Sequence, residues 1–336
     1  MVGEQKDIRY FAATPRSVLN SPTATGMGFW SINPYVGCAF GCAYCYARYT
    51  HRYAAERLAT SAHLTGGAAL PTDDLPPWLA FERRIMVKRE APALVRRALA
   101  RAGTLEALRR EHVVIGTATD PYQPAERRFR VTRGVLEVLA EQINIGVTII
   151  TKSPLVTRDV DLLKCINDRS RLSVHVSLIT VDRELARRLE PRAPTPEARL
   201  RGIARLRSNG IEVGVNAMPV LPGITDSPAM IDALVKSVKG ADASYISACA
   251  LRLQATARER YLPFIAAEFP ALAGKYRRAY ANGYQVSERY RDGLRARFAK
   301  VCARYGVAIG RQYEPDDGDA GADDTGESPT QLALPM

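Results

Sequence analysis

The sequence predicts an α/β fold: a partial (β/α)6 TIM-like barrel with a C-terminal helical extension and a disordered acidic tail. Three observations carry this expectation. Apolar or β-branched runs alternate with helix-period segments across the middle of the 336-residue chain. The alternation gives about six strand–helix units, fewer than the eight of a closed barrel. Beyond the last unit the rhythm gives way to helix-period sequence, and then to a stretch too poor in apolar residues to fold.

In chain order, residues 1–29 are rich in Ser, Thr, Pro and Gly and read as an extended lead-in, with PTATGMGFW as loop. The barrel is expected over residues 30–255, and WSINPYVG supplies its first strand. Residues 60–80 carry loop signals and read as a surface excursion, while RIMVK at 84–88 is either an extra short strand or the lead-in to a helix near 91–102. Further strands are HVVIGTAT (112–119), GVTIITKS (146–153), LSVHVSLIT (172–180), IEVGVNAMPV (211–220) and ASYISACALRL (243–253). Helix-period segments near 128–142, 157–168, 181–189, 196–209 and 227–239 separate them, which implies a parallel sheet. Residues 256–313 read as C-terminal helices broken by the Asn282-Gly283 turn, and residues 314–336 as the disordered tail.

Charge is uneven along the chain. The formal net charge is +12, yet from Glu314 onward there are seven acidic residues and no Lys or Arg. The body before the tail therefore carries 47 basic against 28 acidic residues, a net +19. That excess favours a polyanionic partner such as nucleic acid, although an arginine-rich proteome gives part of the same signal. No apolar run approaches the roughly 20 residues of a membrane span, so no membrane association is expected.

The chain has six cysteines, and NPYVGCAFGCAYCYAR (33–48) holds Cys38, Cys42 and Cys45. Three cysteines cannot pair among themselves, and Cys165, Cys249 and Cys302 are scattered singly. The opening residues are polar, without an apolar leader, so a reducing, cytoplasmic setting is expected, where clustered thiols mean metal or redox chemistry. Zinc asks for four ligands, usually from paired C-x2-C units; there is no second pair, but His51 is available as a fourth ligand. An iron–sulfur cluster is normally held by four thiolates, so three on one loop leave one iron open. Gly37 and Gly41 are expected to let backbone approach such a cluster.

C-x3-C-x2-C after a first strand, with Tyr44 before Cys45 and strand–helix units following, resembles the radical S-adenosylmethionine (SAM) superfamily. The resemblance implies a 4Fe–4S cluster on Cys38, Cys42 and Cys45 whose open iron binds SAM. It further implies reductive cleavage of SAM to a 5′-deoxyadenosyl radical that abstracts hydrogen from substrate, and an external electron donor such as ferredoxin or flavodoxin. SINPYVGCAFGCAYCYAR, GTATDPYQPAE and LEPRAPTPEARL are similar to the subgroup of spore photoproduct lyase and its photolyase-like relatives, over roughly residues 15–260. In the lyase a hydrogen-donating cysteine precedes the Asp at the end of the second strand. Here that stretch is Thr117-Ala118-Thr119-Asp120, without a cysteine, so a relative of the lyase is expected.

By the same resemblance Tyr44, Thr117, Lys152, Ser177 and Arg192 are the cofactor-binding candidates. Asp120, Tyr122, Gln123 and Glu126 follow a strand and should reach the barrel mouth; Asp120 and Tyr122 are the catalytic candidates there, the alternative being a Pro-punctuated turn. Lys152 is otherwise a charge at a strand end, and Ser177 otherwise bonds its own backbone. His175 shares a face with Ser177 and reads as a neutral core histidine. Arg192, between prolines, suits a carboxylate or phosphate; the alternative is a salt bridge to Glu190 or Glu197. Cys165 and Cys302 read as buried packing, whereas Cys249, at the end of the sixth strand, is a hydrogen-donor candidate.

On the C-terminal helices Tyr276 and Tyr280, beside Lys275, Arg277 and Arg278, either stack bases or pack on the barrel. The terminal QLALP, near residues 331–335, is similar to a sliding-clamp docking peptide with Pro335 in place of its Phe. The reading is a radical SAM enzyme acting on nucleic acid. Its alternatives are a radical SAM enzyme on a peptide or small metabolite, and a non-enzymatic zinc or iron–sulfur nucleic-acid-binding protein.

Overall fold

The computed structural model describes residues 1–48, 50 and 75–310. His51, most of the expected excursion, the acidic tail and its clamp-like end lie outside these residues. Strands β1 (Gly3–Gln5) and β2 (Ile8–Ala12) form a hairpin, so the first 29 residues hold regular structure where an extended lead-in was expected. β2 pairs in parallel with β6 (Arg84–Val87), which pairs antiparallel with β5 (Tyr35–Val36), completing a four-stranded sheet. RIMVK is thus a strand, and the helix Ala91–Leu99 follows it. PTATGMGFW contains the short helix Pro22–Thr25, capped by the Ser21 hydroxyl.

The larger sheet has eight strands. Its body is β4 (Trp30–Ile32), β7 (His112–Ile115), β8 (Gly146–Thr151), β9 (Arg171–Ser177), β10 (Glu212–Val220) and β11 (Tyr245–Ala250). These lie side by side in chain order, every pair parallel. β3 (Leu19–Asn20) pairs antiparallel with β4 at one edge, and β12 (Ala308–Ile309) pairs in parallel with β11 at the other. All six strands read from the apolar runs are present in the expected order.

The two faces of this sheet differ in chemistry. Ile32, Ile115, Ile149, Val174, Val215 and Ala217 are fully buried on one face. The other carries registered rows of mostly polar and small residues: Thr148 beside Ser173; His175, Gly214 and Tyr245, with the apolar Ile150 at their end; Ser177, Asn216 and Ser247. Alternation in strands of period two separates these sets. Connecting helices are started by side-chain caps followed by proline: Thr195 accepts from Ala198 N before Pro196, and Ser227 from Met230 N before Pro228. A capping oxygen satisfies an otherwise orphaned amide, and proline sacrifices one that has no helical partner.

The C-terminal region forms helices Ala255–Glu268, Pro270–Ala279 and Glu288–Tyr305. Tyr276 and Tyr280 are buried, their rings stacked 6.0 Å apart. Their hydroxyls donate to Pro222 O (2.8 Å) and Leu251 O (3.0 Å), closing the ends of β10 and β11. Packing on the strand ends of the larger sheet is therefore their role, and base stacking is excluded by burial. Cys302 is buried as expected, whereas Cys165 is exposed. The helix Val160–Arg169 buries Leu163 and Ile166, and Cys165 lies off that stripe.

Candidate functional site

Cys38 follows β5 after Gly37, and its loop is fixed from several directions. Cys38 N donates to Phe81 O (2.9 Å), Ala39 N to Gln123 Oε1 (3.0 Å) and Ala43 N to Leu189 O (2.9 Å). Thr119 Oγ1 donates to Gly37 O (2.6 Å), Arg192 Nε to Ala39 O (2.6 Å) and Arg48 Nη2 to Cys42 O (2.5 Å). Gly37 and Gly41 have φ of +83° and +68°, in the left-handed region that glycine adopts freely. A Cβ on Gly37 would meet Phe81 O at 2.6 Å, and one on Gly41 would meet Arg192 and Glu82 at 2.9 Å. The glycines thus admit the protein's own helix Pro77–Arg83 and an ion pair against the loop.

None of the three cysteines is in a disulfide. Burial, then Asp120 and Cys45, pushes the Cys38 thiol up to about 12. Burial pushes Cys42 well up against the pull of Lys152, and raises Cys45 against Arg48 and Lys152. Thiols in such a site stay protonated until an iron or other metal takes them as thiolates. Among the described residues no three His, Cys, Asp or Glu side chains converge on a position for a single metal ion. A cubane cluster makes no such demand, because each thiolate binds a different iron. Three free thiols on a rigid loop fit that group.

A buried charged network adjoins the loop. Tyr44, 4% exposed, donates its hydroxyl to Glu190, which is also paired with Arg199; both members of that pair are about 1% exposed. Lys152 follows β8, its Nζ 3.9 Å from Glu190 Oε1 and 5.7 Å from the centroid of the Tyr44 ring. Burial works to raise Glu190, but Arg199 and Lys152 outweigh it and hold the carboxyl below its ordinary range. Burial works to lower Lys152, yet Glu190, joined by Cys42 once that thiol is a thiolate, leaves it raised, so its ammonium persists. Arg199 also donates to Ser177 O (3.0 Å), tying the network to the end of β9.

Asp120 is a brace. Its Oδ1 accepts from Tyr122 N (2.9 Å) and Thr151 Oγ1 (2.7 Å), and its Oδ2 from Lys152 N (2.7 Å). It thereby couples the loop after β7 to the end of β8. Tyr122 is 1% exposed and donates to Asp159 Oδ2 at 3.1 Å. Gln123 and Glu126, expected at the mouth, are fully buried. Glu126 accepts from Tyr35 OH (2.5 Å), Thr132 N (2.8 Å) and Arg158 Nη2 (2.8 Å), which anchors the helix Pro124–Phe129. Asp120 and Tyr122 thus hold neighbouring backbone and side chains in place.

Thr117 Oγ1 accepts from Asn33 Nδ2 (3.0 Å), whose Oδ1 accepts from Ala118 N (2.8 Å). Tyr46 donates to Thr117 O. Arg192 pairs with Glu82 Oε2 (2.9 Å) and Asp7 Oδ2 (3.6 Å), so its partners are neither Glu190 nor Glu197. Ser177 is buried at the end of β9, and Cys249 lies half-buried in β11, lining a cavity of about 30 Å³ with Arg252, Arg291 and Arg295. His175, its Nε2 2.6 Å from Tyr245 OH, is pushed down to about 4 by burial and His112, hence neutral as expected.

The structure brings Cys38, Cys42, Cys45, Tyr44 and Lys152 together, with Thr117, Asp120 and Ser177 at neighbouring strand ends. Sequence reasoning missed Glu190, Arg199, Glu82 and Arg48 as site-forming residues. Arg48 is fully buried and pairs with Glu82 at 2.6 Å.

The sequence profile of the Radical SAM superfamily matches residues 32–234. Uncharacterized proteins of Mycobacterium bovis and Mycobacterium tuberculosis are 34% identical over 307 residues, covering 91% of this chain and 83% of theirs. An uncharacterized protein of Methanocaldococcus jannaschii is 25% identical over 206 residues, 61% of this chain and 66% of its own. Among solved structures, a spore photoproduct lyase variant with bound AdoMet and dinucleoside spore photoproduct aligns with a TM-score of 0.61 at 13% identity. That alignment covers 90% of this chain and 82% of the other.

Proposed function

Since the chain belongs to the radical SAM superfamily, whose members use a 4Fe–4S cluster, SAM and a reductant, we propose that Cys38, Cys42 and Cys45 hold three irons and leave the fourth open to SAM. The observation that carries this is the rigid three-thiol loop with the partly buried Lys152 ammonium and its Glu190–Tyr44 partners against it. The parallel strands in unbroken chain order support a partial barrel around the site. When bound, cluster and cofactor supply a one-electron cleavage that equips the site for hydrogen abstraction. Lys152 would offer its ammonium to the cofactor's carboxylate, with Glu190 keeping that ammonium charged and the Tyr44 ring beside it. Asp120 fixes the backbone of Lys152 and so the strand end from which the side chain projects. Ser177, buried at the end of β9, is a further polar contact for the cofactor.

For the substrate we infer nucleic acid, on the +19 body and on the likeness of fold to a structure holding a dinucleoside lesion. The chemistry is photolyase-like but differs from that of the lyase. Thr117 stands where the lyase keeps its donor cysteine, and its hydroxyl is no hydrogen-atom donor of comparable strength. Cys249 is the remaining candidate donor among the strand-end residues, and ferredoxin or flavodoxin is the candidate source of the electron.

Anaerobically reconstituted protein should bind about four irons per chain and, with reductant, convert SAM to 5′-deoxyadenosine. Alanine at Cys38, Cys42 or Cys45 should abolish both cluster and cleavage. Cleavage retained by any one of these variants, or zinc at one ion per chain in place of iron, overturns the assignment. Spore photoproduct repaired as fast as by a genuine lyase overturns the inference from Thr117, and a Cys249→Ala variant then tests whether Cys249 supplies the hydrogen.

A further inference from the structure

The segment AERRFRVTR, residues 125–133, holds four arginines with two different fates. Arg133 is neutralised by Asp159 (2.8 Å), Asp161 (2.8 Å) and Glu137 (3.3 Å). Arg127, Arg128 and Arg130 are exposed, as is Arg89 before the helix Ala91–Leu99. Among the described residues no carboxylate lies within 4.0 Å of these four. Arg89, Arg128 and Arg130 converge on a cleft of about 470 Å³ that is also lined by Pro92, Phe129 and Val131. The Arg89 and Arg128 guanidinium carbons each lie 5.2 Å from the Phe129 ring centroid. Tyr10 meets the same ring edge-on at 5.4 Å, fixing it from the β2 side.

Arg130 adds an independent observation. Its φ is +51° and its ψ 32°, a left-handed conformation, between the helices Pro124–Phe129 and Val131–Ala140. Glycine or asparagine adopts that conformation with less strain, and strained non-glycine residues gather where the side chain is needed. The side chain held there lines the cleft.

We propose that this cleft is a docking site for the phosphodiester backbone of a single-stranded nucleic acid, a proposal that rests on the nucleic-acid reading of substrate given above. Guanidinium groups present forked donors that match phosphate oxygens, and ring-stacked planes hold those forks in place. A guanidinium plane also offers a face on which a base can stack. The cleft has the size of a nucleotide unit, larger than a lone ion requires. A membrane surface is the weaker partner, because docking there needs large apolar side chains exposed beside the charges, whereas Val131 is buried and the Phe129 ring is covered by Arg89, Arg128 and Tyr10. The exposed large apolar residues Met1, Tyr46, Ile143 and Ile309 do not line the cleft. The cleft lies at one end of the helix Pro124–Phe129, whose other end holds the cysteine loop through Gln123 and Ala39 N. About 9 Å of helix separates the two ends.

The test is anisotropy titration of a labelled single-stranded oligonucleotide with the cluster-loaded protein across a salt series. Polyglutamate and phosphatidylglycerol vesicles serve as the competing probes. The combined Arg89→Ala, Arg128→Ala and Arg130→Gly variant should bind at least ~10-fold more weakly at low salt. Its log–log salt slope should be shallower by about 2, given a single-strand contribution near 0.7 per phosphate contact. Arg130→Gly alone should weaken binding about threefold while its melting temperature holds or rises, because glycine relieves the left-handed strain. A structural role for Arg130 predicts the opposite stability change. Charge reversal at Lys275, Arg277 and Arg278 should leave the affinity within about twofold of wild type if the cleft is the main contact. Wild-type protein that binds the oligonucleotide while the cleft variants bind it equally well, with unchanged slope, overturns the cleft alone. Wild-type protein that binds no nucleic acid at low salt overturns the substrate reading with it. Preference for polyglutamate or vesicles over the oligonucleotide also overturns the proposal.

Discussion

Asp120 and Glu190 are both buried beside the cysteine loop, and their acidities move in opposite directions. Burial raises each. At Asp120 the partners that resist are the amide of Lys152, the hydroxyl of Thr151 and the amide of Tyr122, with the Lys152 ammonium the smallest, and the carboxyl ends raised. At Glu190 they are Arg199 and Lys152 with the Tyr44 phenol, and the carboxyl ends lowered. Neutral dipoles satisfy hydrogen bonds but offset only part of the cost of burying charge; cations reverse it. Asp120 therefore joins two strand ends, while Glu190 also sets the charge state of its surroundings, through Lys152 and toward the thiols.

The largest test of that distinction is Arg199→Met. It leaves Glu190 buried with one cation, Lys152 at 3.9 Å. Removing one member of a buried pair costs about 3–5 kcal/mol, which denaturant unfolding under anaerobic conditions should register. A loss under about 1 kcal/mol would mean that Glu190 is not held as a carboxylate there. Asp120→Asn should cost less, about 1–3 kcal/mol, because an amide nitrogen then faces a donor where an oxygen accepted. Iron content should stay at the wild-type level in that variant. A stable Asp120→Asn protein that loads its cluster yet fails to cleave SAM would instead give Asp120 a part in the reaction itself.

Much of this architecture was legible from local sequence. The β-branched runs and the helix-period segments between them specify β4 and β7 to β11 because strand and helix impose different periods on burial. The cysteine spacing locates the loop for the same kind of reason: three ligands within eight positions need no tertiary information. Pairings far apart in sequence were not legible. β2 joins β6 through Arg9 beside Arg84, and Arg192 finds Glu82 across 110 positions. Arg199 is intermediate. It sits in a segment crowded with arginines, but Arg199, Ile203 and Leu206 fall on one buried stripe of the helix Pro196–Arg207. An arginine at the apolar positions of a helix is the sequence signal for a buried ion pair.

The smallest test is also the most discriminating for Glu190. Tyr44→Phe removes the phenol that donates to Glu190 and leaves the ring in place. The expected cost near neutral pH is about 1.5 kcal/mol, that of one hydrogen bond to a charged acceptor at the lower end of its range. Its pH dependence carries a definite sign. Glu190 has a folded-state pKa below its ordinary 4.5, so its stabilising contribution is present above that value and is lost as pH falls through the folded pKa. Without the phenol the depression is smaller. The variant should therefore lag wild type above pH 4.5 and converge on it once Glu190 is protonated in both. Apoprotein unfolding followed from neutral pH downward reads this directly, free of acid damage to a cluster. A gap that persists unchanged into acid would assign the contribution of Tyr44 to packing, and would remove the phenol from the account of how Glu190 keeps its charge.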